Sequence, residues 1–113
     1  MTDKFFRGDV VFAINPLASG HIQQKPRPYL IISNNKCNQH SDIVLGIPLT
    51  TKKKNNLPTH YRFMFNGRLN TALAEQIIPL DKSNINNYLD TISDYDLKQI
   101  EDRVKIQLDL KGE

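Results

Sequence analysis

The chain has 113 residues, 39% of them hydrophobic and 24% charged, with 15 Lys+Arg against 12 Asp+Glu and a formal charge of +3. That length predicts one domain whose core stands without disulfides or metal staples, and the composition excludes disordered, collagen-like and coiled-coil chains. A single cysteine, Cys37, forms no intrachain disulfide, and no Cys/His pair has zinc-ligand spacing.

In chain order, Met1 is followed by no apolar stretch of signal-peptide length, so a soluble, cytoplasmic protein is expected. Short β-rich runs then alternate with turn residues. Val10–Ile14 ends at Asn15-Pro16, Tyr29–Ile32 lies between Pro28 and Ser33-Asn34-Asn35, and Ile43–Leu49 ends at Thr50-Thr51. The last of these is the longest apolar run, well short of the ~20 residues that span a bilayer. His60–Phe65 ends at Asn66-Gly67, and Thr71–Leu80 completes the set. Strand formers punctuated in this way predict an antiparallel sheet or small barrel over about residues 7–80. The segment between the third and fourth runs, residues 50–59, is too long for a tight hairpin and is expected to be exposed. In the fourth run, period two sends Tyr61, Phe63 and Phe65 to the core and His60, Arg62 and Met64 outward.

After Leu80 the period changes. Ser93-Asp94-Tyr95-Asp96 resembles a capping box, and Leu97, Ile100, Val104 and Leu108 form one helical stripe, which predicts a helix over about 94–110. A short helix over Ile85–Leu89 is expected before it, giving a helical C-terminal part from about 83 to 110. Charge is divided along the same boundary. Residues 1–80 carry ten basic side chains and four acids, +6, whereas residues 81–113 carry five bases and eight acids, −3. A basic body suits an anionic partner, and the basic side chains near Arg27 and Lys52–Lys54 are expected to face one groove.

Two segments could carry chemistry. In Lys25-Pro26-Arg27-Pro28 the second proline pushes Arg27 towards extended backbone, which presents its guanidinium for bidentate contact with a phosphate. Pro48-Leu49-Thr50-Thr51-Lys52-Lys53-Lys54 sets two hydroxyls and three ammonium groups at a strand end, suited to a phosphodiester backbone. Taken singly, each is more readily read as a loop boundary with solvated charges, and the two gain force together. The three histidines share no spacing that pairs them; His40 and His60 are expected to be surface or structural residues, and His21 lies in the loop leading to Arg27. No aspartate cluster suggests a metal and no glycine-rich loop suggests a nucleotide, so no cofactor is expected.

Motifs in order along the chain resemble the MazF/PemK toxins. They are Arg7-Gly8-Asp9-Val10, Asn15-Pro16, Arg27-Pro28 followed by Tyr29–Asn34, Ile47-Pro48-Leu49-Thr50-Thr51, Leu57-Pro58-Thr59-His60, Leu73-Ala74-Glu75-Gln76-Ile77, Leu80-Asp81-Lys82 and Leu89–Asp94. The resemblance covers about Arg7 to Leu110. It implies a mainly β fold, a small, strongly twisted antiparallel barrel of the CcdB/MazF/PemK type with a C-terminal helix, usually a homodimer. It also implies a metal-independent, sequence-specific endoribonuclease of a type II toxin–antitoxin system, which cleaves single-stranded RNA to 2′,3′-cyclic phosphate and 5′-hydroxyl ends. Its implied protein partner is an antitoxin whose acidic C-terminal segment occupies the RNA groove.

By the same resemblance Arg27 contacts the scissile phosphate and is a candidate acid, Thr50 stands beside it, and Thr51 follows. Pro58, Glu75 and Gln76 match positions that line the RNA groove, and Lys52 and Lys53 join them as RNA contacts. The chain departs from the family at Ala18–Gln24, where many members carry a glutamate proposed as base and this sequence has none. His21 is the candidate substitute, as base or substrate contact. The alternative is a catalytically silent barrel that binds nucleic acid or protein. The CcdB mode of binding depends on a C-terminal Trp, and this chain has no Trp.

Overall fold

A computed structural model describes residues 4–15 and 26–111. Among these residues the chain forms seven strands, β1 Asp9–Ala13, β2 Arg27–Ile31, β3 Ile43–Thr50, β4 His60–Phe65, β5 Arg68–Leu73, β6 Ile78–Asp81 and β7 Ile85–Thr91. Two helices, α1 Asn35–His40 and α2 Asp94–Leu108, and 3₁₀ turns at Ala74–Gln76 and Lys82–Asn84 complete it. Every pairing is antiparallel, in the order β4-β5-β3-β2-β1-β7, with β6 also on β3. The sheet is twisted and barrel-like without closing into a ring.

Both faces of the central strands are buried, which explains why β1 and β2 read as continuous apolar runs. One face contributes Val10, Leu30, Ile32, Ile47, Leu49, Phe63 and Ala72 to a core shared with Ile92 and Ile100 of the C-terminal segment. The other face contributes Val11, Ala13, Tyr29, Ile31 and Val44, covered by Leu80 of β6. β3 serves both, since it pairs with β6 along Ile43–Gly46 and with β5 at Leu49 and Thr50. Gly46 permits this crowding: a Cβ there would lie 2.5 Å from Leu80 Cδ1 and 3.2 Å from Tyr29 Cβ.

The expected Thr71–Leu80 run is two strands broken by the 3₁₀ turn at Ala74–Gln76. The expected helix over Ile85–Leu89 is instead the strand β7, paired with β1 from Asp9↔Thr91 to Ala13↔Ile85. The first helical residue of the C-terminal part is therefore Asp94, because β1 offers an open edge and its ladder satisfies the backbone of 85–91. The polar segment after β2 holds α1, capped by Asn34 Oδ1 accepting the Cys37 amide at 2.8 Å.

α2 follows the sequence more closely. Ser93 Oγ accepts the Asp96 amide at 3.1 Å, and Asp109 ends the helix in the left-handed region. Asp96 also accepts the Tyr61 hydroxyl at 2.7 Å, while the Arg103 guanidinium lies 5.0 Å from the Tyr61 ring centre. These contacts fix α2 against β4. No helix among the described residues is long and apolar enough to cross a membrane.

Candidate active site

Register puts the sequence-predicted residues together. Arg27 faces Ala13 across β1–β2, Tyr29 faces Pro48 across β2–β3, and Thr50 faces Thr71 across β3–β5. The β2–β3 pairing ends at Tyr29↔Pro48, and Arg27 and Thr50 each lie two residues beyond it on their strands. Residues opposed in a sheet share a face, so Arg27 and Thr50 both belong to the face of Tyr29 and Ile31, opposite α2. Burial raises the Tyr29 pKa and the Arg27 charge works against it, as expected of neighbours two residues apart on one face.

Each side chain retains unused capacity. Arg27 is exposed and has no ion pair among the described residues. Thr50 Oγ1 accepts the Lys52 amide at 3.1 Å, which leaves its own proton free to donate. Thr51, Lys52, Lys53 and Pro58 lie in the exposed segment that leaves Thr50 and returns to β4, as expected of that loop. Gln76 is exposed at the end of the 3₁₀ turn. His21 lies outside the described residues.

His60 has the structural place expected of it, with its side chain only 8% exposed. Nδ1 lies 2.8 Å from the Asn55 carbonyl oxygen and Nε2 lies 2.8 Å from Glu75 Oε2. The second Glu75 oxygen accepts the Thr59 hydroxyl at 2.8 Å. Burial works to raise the Glu75 pKa, but the bonds from His60, its own backbone and Thr59, with the charge on His60, outweigh it and hold the carboxyl below its ordinary value. His60–Glu75 is thus a buried acid–base couple that ties the basic loop, through Asn55, to the 3₁₀ turn.

The sequence signal for this couple is the pairing His60↔Leu73, which brings residues just past Leu73 back over His60. His60 is two residues from Arg62, which opposes Thr71, so the couple shares the face of Arg27 and Thr50. Other charges are used structurally. The Arg7 guanidinium bonds Glu101 at 3.1 Å through Nε and also the Ile32 carbonyl, tying the N-terminal segment to α2. Among the described residues no group of three or more His, Cys, Asp and Glu is placed to hold a metal ion. An apolar groove of about 280 Å³, lined in part by Leu45, Ile77, Val104 and Leu108, lies against the C-terminal half of α2.

A twisted antiparallel sheet with one capped C-terminal helix, and with an arginine and a threonine on the face away from that helix, defines a small basic protein suited to an anionic chain. Residues 6–108 match the family described as PemK-like, MazF-like toxin of type II toxin-antitoxin system, and the chain belongs to that family. It is 31% identical over 109 residues to an endoribonuclease MazF of Staphylococcus saprophyticus, a match covering 92% of this chain and 91% of that protein. Its fold matches a mycobacterial endoribonuclease solved with its cognate antitoxin, at a TM-score of 0.79 and 25% identity over 96% of this chain and 98% of that one. A MazF structure from Deinococcus radiodurans matches at a TM-score of 0.78 and 21% identity, over 93% of this chain and 96% of that one.

Proposed function

We propose that this member of the family is an endoribonuclease toxin that cleaves single-stranded RNA at a short sequence, working in the cytoplasm as a homodimer. The observation that supports the chemistry is that Arg27 and Thr50 share one face of the sheet, a guanidinium with no ion pair among the described residues and a hydroxyl with its proton free.

In this reading the RNA's own 2′-oxygen attacks the adjacent phosphorus and the 5′-oxygen of the next nucleotide departs. Nucleophile and leaving group both belong to the substrate, so the protein supplies only position, charge and protons. Arg27 neutralises the charge gathering on the phosphorane, and the Thr50 hydroxyl donates to a non-bridging oxygen. One group removes the 2′-proton and another protonates the departing 5′-oxygen, leaving a 2′,3′-cyclic phosphate and a 5′-hydroxyl. His21 is the proton carrier that the loop sequence offers. Thr51, Lys52, Lys53, Pro58 and Gln76 contact the RNA strand around the cut. An antitoxin with an acidic C-terminal segment competes for the same basic face.

The test is incubation of purified protein with a long RNA in EDTA, with the new ends mapped. Discrete cuts at one short sequence, lost in Arg27→Ala, support the reading; intact RNA with a folded protein overturns it. His21→Ala tests the proton carrier, since loss of a general acid or base costs about 10²–10⁴ in rate.

A further inference from the structure

Extending the line of opposed residues by one more strand brings in a second arginine. Thr71, which faces Thr50 on β3, faces Arg62 on β4. Thr50, Thr71 and Arg62 therefore stand side by side across β3, β5 and β4 with Thr71 buried between them, and Arg27 lies on the same face at the β2 end. Arg62 is exposed and, like Arg27, has no ion pair among the described residues. Glu75, which lies on this side of the hairpin, already accepts hydrogen bonds from His60 and Thr59. The aromatic side chains of β4 lie on the other face, where Tyr61 is held by Asp96 and Arg103, so Arg62 has no role in seating α2.

We propose that Arg62 is a second phosphate-binding residue of the RNA site, gripping the backbone a few nucleotides from the scissile phosphate held at Arg27. The inference rests on the RNA-cleaving reading above and adds a direction to it: the strand runs across the sheet, perpendicular to the β-strands, from β2 to β4. Two exposed guanidiniums on one face hold a polyanion at two points and fix its path without reading its bases. Arg62 thus contributes affinity and strand alignment while the bond-breaking step stays at Arg27.

The experiment compares wild type, Arg62→Ala, Arg62→Lys and Arg68→Ala. Arg68 is on the same hairpin, exposed, but its position in β5 puts it on the opposite face, so it serves as the charge-matched control. The probes are a long single-stranded RNA holding the mapped cut site, the same RNA with a 2′-deoxy nucleotide at the cut, and versions shortened on the 5′ or the 3′ side. The expected result for Arg62→Ala is binding of the 2′-deoxy RNA weakened on the order of tenfold, with KM raised and kcat nearly unchanged. Its salt dependence is expected to be shallower by about one phosphate contact. One of the two shortened RNAs should bind wild type and Arg62→Ala alike, because it lacks the phosphate that Arg62 holds. Arg62→Lys should recover part of the loss and Arg68→Ala should bind like wild type.

Equal binding of the long RNA by wild type and Arg62→Ala overturns the inference while leaving the cleavage reading intact. A wild type that neither binds nor cuts RNA overturns the cleavage reading itself. If Arg62→Ala leaves RNA binding unchanged but weakens competition by a poly-aspartate peptide, the residue belongs to an acidic protein partner and the RNA assignment fails.

Discussion

Arg27 owes its position to the proline after it. Pro28 holds the preceding backbone extended, and the β1 and β3 registers then carry the guanidinium to the Thr50 side of the sheet. Arg27→Ala should lower kcat/KM by about 10²–10³, the scale of removing one charge-stabilising donor, and Arg27→Lys should restore only part because the planar fork is lost. Cleavage kinetics on one mapped site measure both. Glu75 gives a pH signature. Its folded pKa lies below the ordinary 4.5, so its contribution to stability is present above that value and is lost as pH falls through the lowered one. The stability gap between wild type and Glu75→Gln, read from urea midpoints, should therefore be constant near neutrality and close on acidification. An unchanged gap down to pH 3 removes the carboxylate from that role. Arg27 and Thr50 were legible because polar residues at strand ends advertise themselves. His60 and Glu75 were not read as a couple, because they lie far apart in sequence and meet only when β4 pairs with β5.

At the level of elements, the hairpins and helix caps obey local rules while the sheet does not. Asn66 and Gly67 both adopt positive φ, 52° and 75°, the geometry of a tight two-residue turn between β4 and β5. Ser93 caps α2 as its sequence predicts, and Ser93→Ala should cost about 1 kcal/mol in a thermal or urea melt. Gly46→Ala tests the crowding of β3 instead. The added methyl meets Leu80 and Tyr29 inside a closed core, so a loss of about 1–3 kcal/mol is expected. The segment 85–91 shows why local reading fails at an edge. Its residues Asn86, Asn87 and Tyr88 are exposed and carry no clean period, and the strand is imposed by the open side of β1. Thr71–Leu80 likewise reads as one extended run, and only its need to serve two different stretches of β3 inserts the turn at Ala74–Gln76.

Across the whole molecule, charge follows the fold. The −3 segment includes α2, packed on one side of the sheet, and the +6 segment supplies Arg27, Arg62 and the lysine loop on or beside the other. Affinity for single-stranded RNA should fall linearly in log–log terms with salt, by roughly 0.7 per phosphate neutralised. Replacing Lys52 and Lys53 by glutamate should weaken binding strongly at low salt and much less at high salt, as titrations at several ionic strengths would show. The sequence by itself determined the family, the strand-rich body and the terminal helix and singled out Arg27 and Thr50 as candidates, because periodicity, turn residues and ordered motifs are local properties. Tertiary structure decided which face those residues share, that His60 pairs with Glu75, and that Arg62 opposes Thr71 on that face. Those facts depend on strand register, which joins residues distant in the chain and so leaves no local trace.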